Sequence, residues 1–447
     1  MLNNNIPQLK EHQIAGAVAA TDCLRQNKIA YLSFEMRTGK TYTALEIARR
    51  LEVKKVLFIT VKGGKARSAM KSIERDYNGY KNFFFCTVVN YASLHKISPH
   101  LEYDMVIIDE AHKISCSGVP QKQSKVLPII REFVKDKYCL LLSGTPTPES
   151  YSGIYNAFSV SLNSPFAEYK NFFSWAKDFV LIKEIKINRT DSIKDYKTVN
   201  MEKIKPYIEK YFFSCTQQEA GISCGIIDKV IKVPMTKELK DLYDLFYKEL
   251  IVYIDGEACK AVMAADVVTK LHQMASGSVI IKHPINKKIS NKILDISKAE
   301  YIKEHFGRNH FVVFYMFNNE LEMLKQVFGV KLTQDAYEFN RYEKHIYVAQ
   351  ISSSSEGIDL KTAEFIVYYN ICYSYKDYVQ SKNRMLHLDR KDIATSIFLF
   401  SDIPNDISNE IYKIVTSKKR YTTAYFIKSH KKINNLLTSI TLRKDNE

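Results

Sequence analysis

Five short apolar runs in the first third of the chain alternate with stretches of helical spacing, and this alternation restricts the fold more than any other feature. The runs lie at 29–34, 55–61 (KVLFITV), 83–89, 104–109 (DMVIID) and 138–143 (YCLLLS). Each is apolar at odd and even positions alike, so each needs cover on both faces. Parallel strands sandwiched between helices obtain that cover. Residues 41–51 carry helical spacing between the first two runs, and strand–helix alternation of this kind specifies a doubly wound α/β lobe. A second series follows at 311–317 (FVVFYMF), 345–350, 364–371 and 394–400, again with helical segments between. The expected fold class is therefore α/β, with two doubly wound parallel-sheet lobes and helical insertions.

The segment between the two series is different. Residues 150–225 are rich in Phe, Tyr and Lys, show no clean strands, and read as mostly helical. Residues 230–236 read as a crossing into the second unit, and 237–275 as helices. The expected organisation is a first α/β lobe over 1–160, a helical extension over 161–229, a second lobe over 230–420 with a helical insertion near its start, and a basic tail over 421–447. Basic clusters stand at 418–420 (KKR) and 430–432 (HKK).

Composition removes several classes. Hydrophobic residues make up 46% and charged residues 26%, which excludes disorder throughout. No apolar run approaches the roughly 18 residues of a membrane helix, and MLNNNIPQLKEHQ has no apolar signal core. The expectation is a cytoplasmic protein with no membrane contact. The eight cysteines, at 23, 86, 116, 139, 215, 224, 259 and 372, form no C-x-x-C pair. They read as reduced thiols rather than disulfides or zinc ligands. The net charge of +16 and pI of about 9.2 fit a polyanionic partner such as nucleic acid.

Three constellations carry chemistry. Met36-Arg37-Thr38-Gly39-Lys40-Thr41 stands between a strand and a helix. A phosphate-binding loop needs backbone N–H groups at a helix start, a lysine for the β- and γ-phosphates and a hydroxyl for Mg²⁺. Lys40 and Thr41 supply the last two, although the full glycine pattern would put Gly where this chain has Phe34. Val106 to Ile108 then lead into Asp109-Glu110-Ala111-His112 at a strand's carboxyl end, the edge where α/β sheets bind ligands. Asp109 there is suited to hold Mg²⁺, and Glu110 to orient and deprotonate a water. Ser143-Gly144-Thr145-Pro146 follows another buried strand and makes a stiff turn whose hydroxyls, Thr145 among them, are placed to sense a γ-phosphate.

In that order, GKT, DEAH and SGTP resemble the first motor lobe of superfamily-two helicases, which implies RecA-like lobes. Ser353 to Leu360, containing Gly357 and Asp359, resembles the motif that family places at its interlobe cleft. Gln380-Ser381-Lys382-Asn383-Arg384 resembles the start of its last motif. Gln13, in LKEHQIAGA, is similar to the family's upstream glutamine that reads the adenine edge. Asn90-Tyr91 and 314–324 (FYMFNNELEML) resemble the Swi/Snf-like branch, and EMRTGKT and SGTPTPESY its compact phage and viral members. The resemblance spans about residues 8 to 420. It implies ATP and Mg²⁺ as cofactors, with Gln13, Thr38, Gly39, Lys40, Thr41, Thr145, Gly357, Asp359 and Gln380 around the nucleotide and Thr41 and Asp109 on the metal. It also implies nucleic-acid contacts at Lys62, Asn90 and Tyr91.

The family's last motif carries two arginines three residues apart. Here Arg384 is the first, and His387 occupies the place of the second. An arginine finger is worth roughly 10³–10⁵ in rate, and His is only partly charged at neutral pH. Arg390 lies three residues beyond His387, so Arg384 and Arg390 are expected to divide the work, with His387 secondary.

The implied activity is an ATP-dependent DNA helicase or duplex translocase in phage or viral replication, recombination or repair. It would act as a monomer on duplex or forked DNA, with replication or recombination proteins as partners. Two alternatives stay open: an RNA helicase with the same motor, and a nucleotide-dependent clamp subunit with weakened catalysis.

Overall fold

The run Ile29–Phe34 forms the first strand, β1, in which only Ser33 escapes full burial. Strands β2 (Lys55–Thr60), β3 (Phe85–Asn90), β4 (Met105–Ile108) and β5 (Tyr138–Leu142) follow, and every residue of β4 is buried. The structure, a computed structural model, describes residues 8–61, 68–98, 101–114, 124–144, 151–186, 192–222, 225–282, 289–354, 360–386, 390, 392–417, 421–430 and 433. The chain divides into two units, Met1–Ser223 and Cys224–Glu447.

In the first unit, strands β6 (Lys183–Lys186) and β7 (Ser192–Asp195) pair as an antiparallel hairpin, and β8 (Phe212–Cys215) joins the main sheet. The sheet order is β3-β2-β4-β5-β1-β8, and all its pairings are parallel. Helix α1 (Glu11–Asn27) precedes β1, and α2 (Lys40–Arg50) follows it. Parallel strands all end at one edge, so the turns after β1, β4 and β5 arrive there together.

The segment 161–229, expected to be helical, is so only in part. Helices Phe172–Phe179 and Met201–Tyr211 lie within it, but so do the β6–β7 hairpin and β8. β8 has four residues and is mostly half-buried, too short and too exposed to stand out as an apolar run. It pairs with β1 from Tyr31↔Phe212 to Phe34↔Cys215. The Tyr31 and Phe212 rings stack there at 4.5 Å and 8°, a pair worth about 1 kcal/mol beyond its buried area. Phe158, Phe166, Trp175 and Phe179 extend this aromatic packing into the same core. The extension thus buttresses the strand that carries the candidate phosphate loop.

The second unit repeats the architecture. β9 (Ile226–Val233) is followed by two antiparallel hairpins, β10 (Ile251–Ile254) with β11 (Glu257–Lys260), and β12 (Ser278–Lys282) with β13 (Ile289–Ile293). Strands β14 (Val312–Tyr315), β15 (Leu332–Thr333), β16 (Ile346–Gln350), β17 (Phe365–Tyr368) and β18 (Ala394–Ser401) complete a parallel sheet of order β15-β16-β14-β17-β18-β9. The β10–β11 hairpin corrects the helical expectation for 237–275. Lys237–Glu249 and Ala264–Met274 are helices, but Asp255 and Gly256 between them have φ of 49° and 78°, the left-handed pair that closes a two-residue hairpin. Among the described residues no helix is long and apolar enough to cross a membrane, and six described cysteines are buried free thiols.

Trp175, the chain's single tryptophan, is fully buried and stacks on Phe179, so its emission reports on the first unit alone. Phe166 is 2% exposed and meets the Trp175 ring at 5.5 Å. Urea unfolding followed by that emission is expected to show Phe166→Ala destabilised by about 3–5 kcal/mol.

Candidate nucleotide and catalytic site

The turn after β1 runs from Glu35 to Gly39, and α2 starts at Lys40. Gly39 sits at φ 89° and Arg37 at φ 68°, backbone that strongly favours glycine at the first position. A Cβ on Gly39 would lie 1.8 Å from Gln13 Nε2, so the close approach of α1 demands glycine as well. The turn is held from behind. The Thr38 carbonyl accepts hydrogen bonds from Gln13 Nε2 at 3.2 Å and His12 Nε2 at 2.9 Å. Thr38 Oγ1 donates to the Glu35 carbonyl at 2.7 Å. From the far side, the Gln217 backbone N–H donates to Glu35 Oε2 at 2.7 Å and its Nε2 donates to the Met36 carbonyl at 3.1 Å. Lys40 Nζ donates to the carbonyls of Phe34 and Glu35 at 2.9 and 3.2 Å.

Asp109 and Glu110 form the turn after β4. Asp109 Oδ2 accepts from Thr60 Oγ1 at 2.8 Å, and Oδ1 from the Glu110 N–H at 3.0 Å. Its carbonyl accepts from the Tyr91 hydroxyl at 2.6 Å. Desolvation and the negative charge of Glu110 push the Asp109 carboxyl up to about 7, against the opposing pull of Thr60 and Lys40. Glu110 has φ of 50°, an uncommon conformation for a non-glycine residue. Its Oε2 lies 3.2 Å from His112 Nδ1, which is also 3.0 Å from Ser143 Oγ. Gly144 closes the circuit, because a Cβ there would meet Lys40 Nζ at 3.2 Å. GKT, DEAH and the SG of the third motif therefore meet at one sheet edge.

Among the described residues no cluster of three or more His, Cys, Asp or Glu side chains is placed to hold a metal alone. Mg²⁺ takes hard oxygens from one or two protein groups and the rest from phosphates and water. Asp109 and Thr41, on the first turn of α2, are the matching donors, and a cation would relieve the charge that burial disfavours at Asp109.

In the second unit, Gln380 lies on the helix Tyr375–Lys382, capped by Ser374, and is 1% exposed. Its Oε1 has no hydrogen-bond partner among the described residues. Arg384 follows in the turn Asn383–Met385 and is half-buried, its carbonyl accepting from the Leu360 N–H at 3.4 Å. Arg390 is held differently. Its Nη1 and Nη2 donate to the carbonyls of Ala363 and Glu364 at 2.8 and 2.9 Å, just before β17. Its guanidinium thus clasps the start of a strand. Lys62, Thr145, Gly357, Asp359 and His387 lie outside the described residues.

Asn90 and Tyr91, expected at nucleic acid, spend their polar atoms inside the unit. Asn90 is 6% exposed, its Oδ1 accepts from the Ser93 N–H at 3.0 Å, and its Nδ2 donates to Met70 Sδ at 3.6 Å. The sequence reading missed the contacts of Thr60, His12 and Gln217, and Ser143, read there as part of the SGTP turn, also lies 3.0 Å from His112 Nδ1. Thr60 stands beside Asp109 because Ile59 pairs with Ile108, a register that the fold alone reveals, and the role of Gln217 depends likewise on β8.

Three comparisons bear on identity. The model of a family described as the SNF2-related domain matches residues 45–284. A curated relative, "Uncharacterized ATP-dependent helicase YqhH" of Bacillus subtilis, is 31% identical over 166 residues, covering 33% of this chain and 28% of the relative. The match thus spans under a third of that relative's length. Two solved structures are similar across most of the chain. The Sulfolobus solfataricus SWI2/SNF2 ATPase core in complex with dsDNA has 16% identity and a TM-score of 0.41, covering 93% of this chain and 92% of that one. The Sulfolobus solfataricus SWI2/SNF2 ATPase core domain has 15% identity and a TM-score of 0.40, covering 92% and 89%.

Folded Asp109 holds its proton up to about pH 7, whereas an unfolded Asp ionises near about 3.9. Its contribution to stability is thus full below about pH 4 and is lost as pH rises through about 7. Metal binding needs the carboxylate, so its pH dependence runs the other way. Titration of a fluorescent ATP analogue with Mg²⁺ is expected to show affinity rising from pH 6 to about 8, and Asp109→Asn to flatten the rise. Arg390→Ala removes two charge-assisted hydrogen bonds and is expected to cost about 2 kcal/mol of second-unit stability in thermal or urea unfolding.

Proposed function

Because the chain belongs to the SNF2-related domain family, we propose that it is an ATP-driven motor on DNA, a helicase or duplex translocase of the Swi/Snf-like kind. The observation that carries this reading is the convergence of Lys40, Asp109, Glu110, His112 and Gly144 on one sheet edge beside a helix start. That set has the parts phosphoryl transfer requires: a cradle for the phosphates, a metal-holding carboxylate and a base for water. The net charge of +16 supports a polyanionic track, whose grip would weaken steeply with salt.

In this reading the phosphates lie against the N-terminus of α2. Lys40 leaves the carbonyls of Phe34 and Glu35 to meet the β- and γ-phosphates. Asp109 and the Thr41 hydroxyl would hold Mg²⁺, which would supply charge neutralisation at the phosphates. Glu110 orients the attacking water and takes its proton, and His112 keeps that carboxylate turned towards Ser143. Gln13 braces the phosphate loop through Thr38. Arg384 is assigned as the cation that stabilises charge on the transferred group. Arg390, already bonded to Ala363 and Glu364, is assigned a positioning role in the second unit. The setting proposed is replication, recombination or repair of phage or viral DNA.

The test is steady-state ATP hydrolysis without nucleic acid, and with single-stranded DNA, duplex DNA and RNA. Duplex DNA is expected to give the strongest stimulation, and Lys40→Ala to abolish turnover under every condition. Stimulation by RNA alone would transfer the protein to the RNA helicases. Turnover unchanged by any polynucleotide would contradict the motor reading.

A further inference from the structure

Three neighbouring strands of the first unit end in one row. Thr60 of β2 pairs with Asn90 of β3, and Ile59 pairs with Ile108 of β4, so Thr60 stands between Asn90 and Asp109. Two hydroxyls from this row reach Asp109. Thr60 Oγ1 donates to the carboxylate at 2.8 Å, and the Tyr91 hydroxyl donates to the backbone carbonyl at 2.6 Å. Thr60 is fully buried, so its hydroxyl has no access to a polynucleotide.

We infer that Thr60 and Tyr91 are positioning residues for ATP hydrolysis, the first aiming the Asp109 carboxylate and the second fixing the turn that presents Glu110. The inference rests on Asp109 and Glu110 having the roles proposed above. A carboxylate offers about four lone-pair directions over its two oxygens. The Glu110 N–H takes one on Oδ1 and Thr60 takes one on Oδ2. Two donors from different directions fix the rotation of the group and leave its outer lone pairs for a cation. The Tyr91 bond acts on the backbone. The Asp109 carbonyl belongs to the peptide unit leading into Glu110, whose φ of 50° is held only while its surroundings determine it. Loss of that bond frees the turn and the direction of the Glu110 side chain.

The row also has a consequence for coupling. The ends of β2 and β3 are bonded to the residue that would hold the metal. A polynucleotide seated on those strand ends would act on the turn after β4 through these two hydroxyls, without side-chain contact from Asn90 or Tyr91. Tyr91, expected to touch nucleic acid, is on this account an internal lever.

The test uses the full chain with Thr60→Val, Thr60→Ser and Tyr91→Phe, assayed on the polynucleotide that best stimulates the parent. Thr60→Val and Tyr91→Phe are expected to lower kcat by about tenfold, the weight of one hydrogen bond to a charged or strained group. KM for ATP is expected to stay within about twofold, the signature of loss in the chemical step. Thr60→Ser restores the hydroxyl and is expected to keep the parental kcat. A second readout is independent of turnover: Mn²⁺ affinity of the ATP complex, by electron paramagnetic resonance, should weaken in Thr60→Val and hold in Thr60→Ser. Parental kcat in both Thr60→Val and Tyr91→Phe would overturn the inference, as would equal failure of Thr60→Ser and Thr60→Val. If the parent hydrolyses no ATP, the motor reading fails, and Mn²⁺ affinity still decides the role of Thr60.

Discussion

A carboxylate drawn out of water at the end of a buried strand is stable only if its surroundings answer its charge, and the first unit is organised around that requirement at Asp109. Both carboxylate oxygens accept hydrogen bonds, its carbonyl takes a third, and Lys40 contributes a favourable charge. These still do not outweigh desolvation and the adjacent Glu110, so the group sits near neutrality. On the proposed reading, a carboxyl poised in this way would exchange its proton for a metal ion. The neighbouring strands supply the hydroxyls, the neighbouring helix supplies the cation, and Glu110 is turned by the same peptide.

The parallel sheet makes this gathering possible. Its strands end at one edge, so a helix start after β1, two acids after β4 and a serine–glycine turn after β5 come together without long loops. The turn after β1 is then gripped from two sides, by His12 and Gln13 of α1 and by Gln217 beyond β8. Gly39 is the one residue type that allows that grip, given its φ and the contact with Gln13. β8 matters for the same reason: the stacked pair of Tyr31 and Phe212 steadies the strand that carries the turn.

Elements buried on both faces were legible in the sequence. The runs at 29–34, 55–61, 104–109 and 138–143 became β1, β2, β4 and β5 with ends shifted by no more than a residue. Elements covered on one side were not. β8 is short and half-buried, and the aromatic residues around it have no single period because they pack into a cluster rather than a sheet face. The β10–β11 hairpin left a trace that was overlooked. In IVYIDGEACK, buried Val252 and Ile254 alternate with exposed Ile251 and Tyr253 around an Asp-Gly turn, a strong hairpin signal. At the site, the residues proposed for phosphate and metal stand out in the sequence because that chemistry restricts them to a few types at short spacing. The contacts that hold them do not, since Thr60 and Gln217 become partners only through strand register and tertiary pairing, as does the contact of Ser143 with His112.

On the proposed function, the edge formed by Lys40, Asp109 and Glu110 binds and hydrolyses ATP. Single-turnover hydrolysis of γ-labelled ATP by Glu110→Gln, with nucleotide affinity measured on the same preparation, tests it most directly. The account predicts parental affinity for Mg²⁺·ATP together with loss of the hydrolytic step. Phosphate release at the parental rate by this variant would contradict it.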